Sequence, residues 1–182
     1  RRQARATDSF IAISSIIPFS AVEGSLSTFF FLENQAEKSA LLCATFNSFI
    51  FNFLTRLRQS GANLNKNVYS QLPVLDNSKL KKGKFLMGKN ALSKWFVTHV
   101  LELVYTSWDL ERFAVDCGWS APPFVWNQNR RFLIKCELDA AFFHLYLQAE
   151  ELEDSSFPRK VIDYILETFP IVKRKDVSDS ES

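Results

Sequence analysis

The sequence has little of what most catalytic loops are made from. Its five glycines never fall in a Gly-x-Gly pair, which excludes phosphate-cradling and dinucleotide or adenosylmethionine loops within it. The only histidines are His99 and His144, and neither belongs to a nucleophile pattern. No Asp or Glu is followed two residues later by Lys, so the carboxylate-x-lysine half of a common metal-dependent nuclease site is missing. The three cysteines, Cys43, Cys117 and Cys136, are far apart, odd in number and never in Cys-x-x-Cys. Free thiols in a reducing cytosol are the expected state, not a disulfide framework or a zinc site. No apolar run reaches the length of a membrane span, and the chain opens on Arg1-Arg2 instead of a signal peptide. With no initiator Met either, it is expected to be a piece of a longer protein, cytoplasmic and without a membrane partner.

Apolar side chains are abundant. They make up 47% of the 182 residues, with 18 phenylalanines, so a substantial core is expected. The net charge of +2 is too small to imply a nucleic-acid partner by itself, and any basic surface must be local.

The organising stretch is Thr45 to Leu75. An aromatic helix ending in Arg56 and Arg58 runs into a loop dense in amides, Asn63, Asn65, Asn67 and Gln71, with Lys66 and Tyr69, and closes on Leu72-Pro73-Val74. Before it, Phe10 to Ile17 and Leu26 to Leu32 read as two strands around a turn from Pro18 to Gly24, and the run Phe29-Phe30-Phe31-Leu32 suggests a strand covered on both faces. Asn34 with Glu37 makes a capping box for a helix to about Ser60, with Gly61 as its left-handed terminator. Phe46, Ile50, Phe53, Leu54 and Leu57 share its expected core face, widened by Leu42 and Phe49.

Asp76 to Asn90 reads as a basic connecting loop with Lys79, Lys81, Lys82, Lys84 and Lys89. Helices are then expected over Ala91 to Tyr105, Ser107 to Cys117 (ended by Gly118), Gln128 to Ala149 (capped by Asn127) and Pro158 to Phe169, with a fraying charged tail after Pro170. The expected class is α+β: a few N-terminal strands followed by about four to five helices. The expected divisions are 1–75, a linker over 76–90, a helical part over 91–172 and a tail over 173–182.

Several residues admit two readings. Arg56 and Arg58 suit phosphate or guanine contacts, or merely a solvated helix end where cations complement the dipole. Asn63, Asn65, Asn67 and Gln71 match the donor and acceptor pattern of adenine, or bond their own backbone in turns. Lys66 and Tyr69 suit backbone phosphate, and Lys81 and Lys82 a phosphate clamp. Arg130 and Arg131 open a helix against its dipole, so a carboxylate such as Asp116 or Asp139 is expected beside them. His144 is expected in the core, as are the tryptophans at 95, 108, 119 and 126. Ala121-Pro122-Pro123-Phe124 resembles the Asn-Pro-Pro-Tyr/Phe motif of amino-methyltransferases, but Ala121 offers no acceptor for a base amine, so a turn is the expected role.

Asn47-Ser48-Phe49 through Arg56, Gly61, Asn63-Leu64-Asn65 and Gln71-Leu72-Pro73-Val74 resemble the end of the target recognition domain of type IIG restriction-modification enzymes. These are long bacterial chains that fuse a nuclease, an adenine methyltransferase and a DNA-reading domain. A similar helix-then-Leu-Pro pattern occurs in specificity subunits of type I systems. Arg5-Ala6-Thr7-Asp8 with Ile17-Pro18 resembles the entry to that domain's last strands. Glu102-Leu103 to Tyr105-Thr106, Trp108-Asp109-Leu110, Cys117-Gly118, Arg130-Arg131, Glu137 to Tyr146 and Tyr164 to Val172 resemble the region that follows. Leu147 stands where the family tends to have Gly, followed by a longer acidic insert to Ser156, and the lysine loop is poorly matched. The resemblance implies double-stranded DNA and the parent's methyltransferase domain as partners. It implies S-adenosylmethionine and Mg²⁺ for catalytic domains outside this chain, and no catalytic, cofactor or metal residue within it. A purely structural brace of the same enzyme, without DNA contact, is the alternative.

Overall fold

In the computed structural model, residues 3–4, 8–31, 35–59, 61, 63–75, 91–147 and 157–169 are described. They form seven α-helices: α1 (Ala36–Asn47), α2 (Phe49–Arg58), α3 (Lys66–Tyr69), α4 (Ala91–Val104), α5 (Glu111–Asp116), α6 (Gln128–Leu147) and α7 (Phe157–Glu167), with a 3-10 turn at Trp108–Leu110 before α5. One core joins α1, α2, α4, α5, α6 and the end of α7 around Ala40, Ile50, Phe96, Tyr105, Ile134, Phe142 and Phe169. Helix α4 lies against α1 and α6, and α2 rests on α6.

The long helix expected from Asn34 to Ser60 is two helices bent by 68°. Ser48 sits between them with extended backbone, φ −73° and ψ 149°. Its hydroxyl donates to the Thr45 carbonyl at 2.8 Å and accepts from the Phe51 N–H at 3.3 Å, so one side chain closes α1 and caps α2. Asn34 lies outside the described residues. The helix ends at Gln59 in extended geometry, and Gly118 (φ 80°), not Gly61, is the positive-φ glycine among the described residues. The bend also turns the buried face. Ile50, Phe51, Asn52 and Thr55 are buried, Phe53 and Leu54 are half-buried, and Leu57 is 66% exposed.

The α+β expectation is overturned. Among the described residues there is no strand, only an isolated antiparallel bridge between Gln3 and Asn63. The stretch Phe10 to Ile17 nonetheless behaves as a strand would. From Ala12 to Phe19 burial alternates residue by residue, which is the period that made it read as β. Its backbone partners are side chains. The Asn52 Oδ1 accepts from the Ile11 and Ala12 N–H groups, each at 2.9 Å, and its Nδ2 donates to the Ala12, Phe46 and Ser48 carbonyls at 3.1, 3.2 and 3.1 Å. One turn earlier, the Asn47 Oδ1 accepts from the Ser14 N–H at 3.1 Å while its Nδ2 donates to the Ser14 carbonyl at 3.0 Å. The Ser14 hydroxyl donates to the Cys43 carbonyl at 3.3 Å, and burial pushes the Cys43 thiol up. Two side-chain amides therefore stand where a neighbouring strand's peptide groups would be.

Among the described residues of the second expected strand, Phe30 is 77% exposed, and Leu26, Phe29 and Phe31 are exposed too. Phe29 alone of these packs inward, edge-on to Phe46 and Tyr69 at ring distances of 5.4 and 5.6 Å. The helices from α4 onward begin and end close to their expected positions, and Asn127 caps α6 through an Oδ1 bond from the Arg130 N–H at 2.9 Å.

Asn52 is fully buried and makes five hydrogen bonds. Asn52→Ala removes all five and strands buried backbone groups, each of which costs about 1–3 kcal/mol when left unsatisfied. The expected loss of stability is about 4 kcal/mol or more, measured by urea unfolding, with Asn52→Leu no better despite its similar size.

Candidate nucleic-acid interface

Helix α3 and its flanks are held from below at several points. Leu64 is fully buried against Ala4 and Ile11, and Leu72 packs with Ala12, Phe46 and Phe51. Between them Tyr69 lies on Phe46 at 5.2 Å and meets Phe29 edge-on. Burial pushes the Tyr69 phenol above its ordinary value, so it stays neutral. Asn65 is the N-cap of α3, its Oδ1 accepting from the Val68 N–H at 3.1 Å. These anchors leave Lys66, Asn67 and Gln71 exposed on the outer side of the turn, with Asn63 exposed beside its bridge to Gln3.

The two arginines of α2 part company. Arg58 is exposed. Arg56 is half-buried: its Nη2 donates to the Ser9 carbonyl at 3.0 Å and to the Asp8 carbonyl, and its guanidinium lies 4.6 Å over the Phe169 ring. Burial lowers its pKa, the Asp8 charge partly offsetting this, without bringing a guanidinium near neutrality. Phe169 in turn contacts Phe10 and Phe49 at 5.9 and 5.3 Å. Arg56 thus ties the N-terminal segment, α2 and the end of α7 together.

Of the ten sequence-derived candidates, Arg58, Lys66, Asn67 and Gln71 are exposed around α3 and the end of α2, Asn63 is exposed at the bridge, Asn65 and Tyr69 build the turn, and Arg56 is bonded internally. Lys81 and Lys82 lie outside the described residues. What the sequence reading missed is Asn52 and Asn47. The signal was present as an amide set between Phe51 and Phe53, because a polar group on an apolar helix must find partners once buried.

The arginines of α6 find partners other than the carboxylates expected. Arg130 pairs with Glu102 of α4 at 2.9 Å and stands 3.9 Å from Glu137. Arg131 donates to the Leu103 carbonyl at 2.8 Å and stacks on Trp126 at 3.7 Å. Glu137 also meets His99 at 2.9 Å, and the other ring nitrogen of His99 meets the Trp95 carbonyl at 2.8 Å. Asp116 pairs with Arg112, and Asp139 faces α2. His144 is exposed, as are Trp108 and Trp126, while Trp95 and Trp119 border the core. The Pro122-Pro123 segment is a non-helical connection between α5 and α6, tied down by the Phe124 N–H donating to the Tyr105 carbonyl at 2.9 Å.

Among the described residues no group of three or more His, Cys, Asp or Glu side chains is placed to hold a metal ion. Among the same residues no single helix is long and apolar enough to cross a membrane; the bent pair α1 and α2 passes on length and composition only.

The division between the two arginines is testable by stability alone. Arg56→Ala removes two carbonyl contacts and the ring contact, and is expected to cost about 1–3 kcal/mol. Arg58→Ala, Lys66→Ala and Gln71→Ala are each expected to stay within about 0.5 kcal/mol of the parent. Thermal unfolding of the four variants measures the difference. Comparisons with protein-family models, with curated proteins and with solved structures find no match to this chain.

Proposed function

We propose that this chain is a DNA target-recognition segment of the type IIG kind, working in the bacterial cytosol. It would hold double-stranded DNA for a methyltransferase domain outside it, which extrudes and methylates adenine with S-adenosylmethionine. The observation that supports this most is the turn around α3. It is anchored by Leu64, Tyr69 and Leu72, and keeps Lys66, Asn67 and Gln71 in water. A rigid base under freely solvated cation and amide groups suits contact with a phosphate backbone and with base edges. Lys66, with Arg58, supplies charge, and Asn67 and Gln71 supply paired donors and acceptors.

The second reading, a brace that touches no DNA, is favoured by α4 to α6. There Arg130 and Arg131 are engaged by Glu102 and the Leu103 carbonyl of α4, and Val125, Trp126, Phe132 and Leu133 are exposed. That surface suits a protein neighbour better than a polyanion. The two readings divide the chain, with DNA contact before Leu75 and docking after Ala91.

Fluorescence anisotropy with duplex DNA over a range of salt concentrations tests the proposal. Arg58→Ala and Lys66→Ala are each expected to weaken binding for all sequences and to reduce the salt slope by about one. Unchanged affinity and slope in both variants reject DNA contact at this turn and leave the brace.

A further inference from the structure

We propose that α6 sets the position of the α3 turn, and that Tyr146 is the positioning residue at their junction, acting through one hydrogen bond to the backbone that leaves the turn. Tyr146 is the last residue but one of α6. Its hydroxyl donates to the Pro73 carbonyl at 2.7 Å, between residues 73 positions apart in the chain. Burial pushes the phenol above its ordinary value, so it stays a protonated donor. Pro73 follows Gln71 by two residues, so the bond lands directly behind the exposed side chains of the turn.

The turn and its exit form one hydrogen-bonded run. The Ser70 N–H donates to the Lys66 carbonyl at 2.9 Å, the Gln71 N–H to Val68 at 3.1 Å and the Leu72 N–H to Tyr69 at 3.2 Å. A displacement at Pro73 therefore reaches Gln71 and Lys66 with little slack. Leu72 holds the run down on Phe46 and Phe51, in a cluster separate from the main core. Pro73 and Val74 are exposed, and Leu75 is the next residue to pack, against the main core. Tyr146 bridges that gap: its ring borders the same main core, 6.5 Å from Phe142, while its hydroxyl holds Pro73.

Helix α6 is a firm reference for this contact. It has 20 residues, a rod of about 30 Å, and it is pinned along its length: Arg130 to Glu102, Glu137 to His99, and Asp139 to the Phe49 N–H at 2.8 Å. Tyr146 comes about two turns after Asp139 and so lies on the same face of the helix. One face of α6 thus fixes first the corner between α1 and α2, then the exit of the turn. The functional part of the proposal rests on the DNA reading above. With Pro73 held, Lys66, Asn67 and Gln71 are arranged before DNA arrives, and binding is spared the cost of ordering them.

Tyr146→Phe keeps the ring and removes only the donor. Amide hydrogen exchange at Ser70 and Leu72 is expected to quicken about fivefold, the worth of one neutral hydrogen bond, while the Phe142 and Phe143 amides of α6 keep their rates. Affinity for duplex DNA is expected to fall by about the same factor with an unchanged salt slope, because no phosphate contact is removed. Lys66→Ala, by contrast, lowers the slope. Unchanged exchange at Ser70 and Leu72 overturns the proposal, and so does a quickening that runs equally through α6, which marks a general loss of stability. Faster exchange with unchanged duplex affinity overturns the positioning role. A parent chain that binds no duplex refutes the DNA reading instead, and exchange alone then decides whether α6 sets the turn.

Discussion

The Asn52 side chain is the constraint on which the remainder of this fold depends. It emerges from the first turn of α2, where the 68° break leaves the last carbonyls of α1 and the N–H groups of an incoming chain close together. A single planar amide satisfies both, donating to the break and accepting from Ile11 and Ala12. In the interior each such group would otherwise carry a full desolvation penalty. The location of the N-terminal segment follows from that amide. So does the placement of Phe10 beside Phe49 and Phe169, and of the Asp8 and Ser9 carbonyls beneath Arg56. Asn47 repeats the device one turn earlier with Ser14.

This explains which parts of the structure were legible in the sequence. Helices α4, α6 and α7 were readable because their signals are local: spacing of apolar residues, Asn127 as a cap, and Pro170 and Gly118 as punctuation. The Ala12 to Phe19 alternation was also real, but it reports only that alternate side chains face a surface. It does not say whether the hydrogen-bond partners are peptides or side chains, and here they are side chains. The break at Ser48 was missed because serine is tolerated inside helices. Only its neighbours, Thr45 in front and Phe51 behind, make it a double cap.

The candidate site shows the same limit. The stretch Arg56 to Gln71 joins scaffold to polar surface, but sequence could not apportion roles within it. Arg56 and Arg58 are two positions apart, so they point in different directions from the helix. One lies over Phe169 and the other in water. Likewise Asn65 and Asn67 look alike in the sequence, yet the first closes the turn of α3 and the second is left outside it. The division is set by bonds to nearby backbone: Arg56 reaches the Asp8 and Ser9 carbonyls, and Asn65 takes the Val68 N–H.

The Ser48 break has a consequence for the order in which the chain acquires its structure. Its two long-range closures span very different lengths of chain: Asn52 reaches back 41 residues to Ile11, while Asp139 reaches back 90 residues to Phe49. Loop closure costs only about 0.6 kcal/mol more for each doubling of length, so the difference in equilibrium cost is small. The difference in search is larger, because α6 must first exist before it can present Asp139. The helices with local signals depend on nearby residues, whereas the corner between α1 and α2 draws on both Asn52's hold on the N-terminal segment and Asp139 of α6. A bend that looks like a local feature of one serine is in fact tied to two distant parts of the chain.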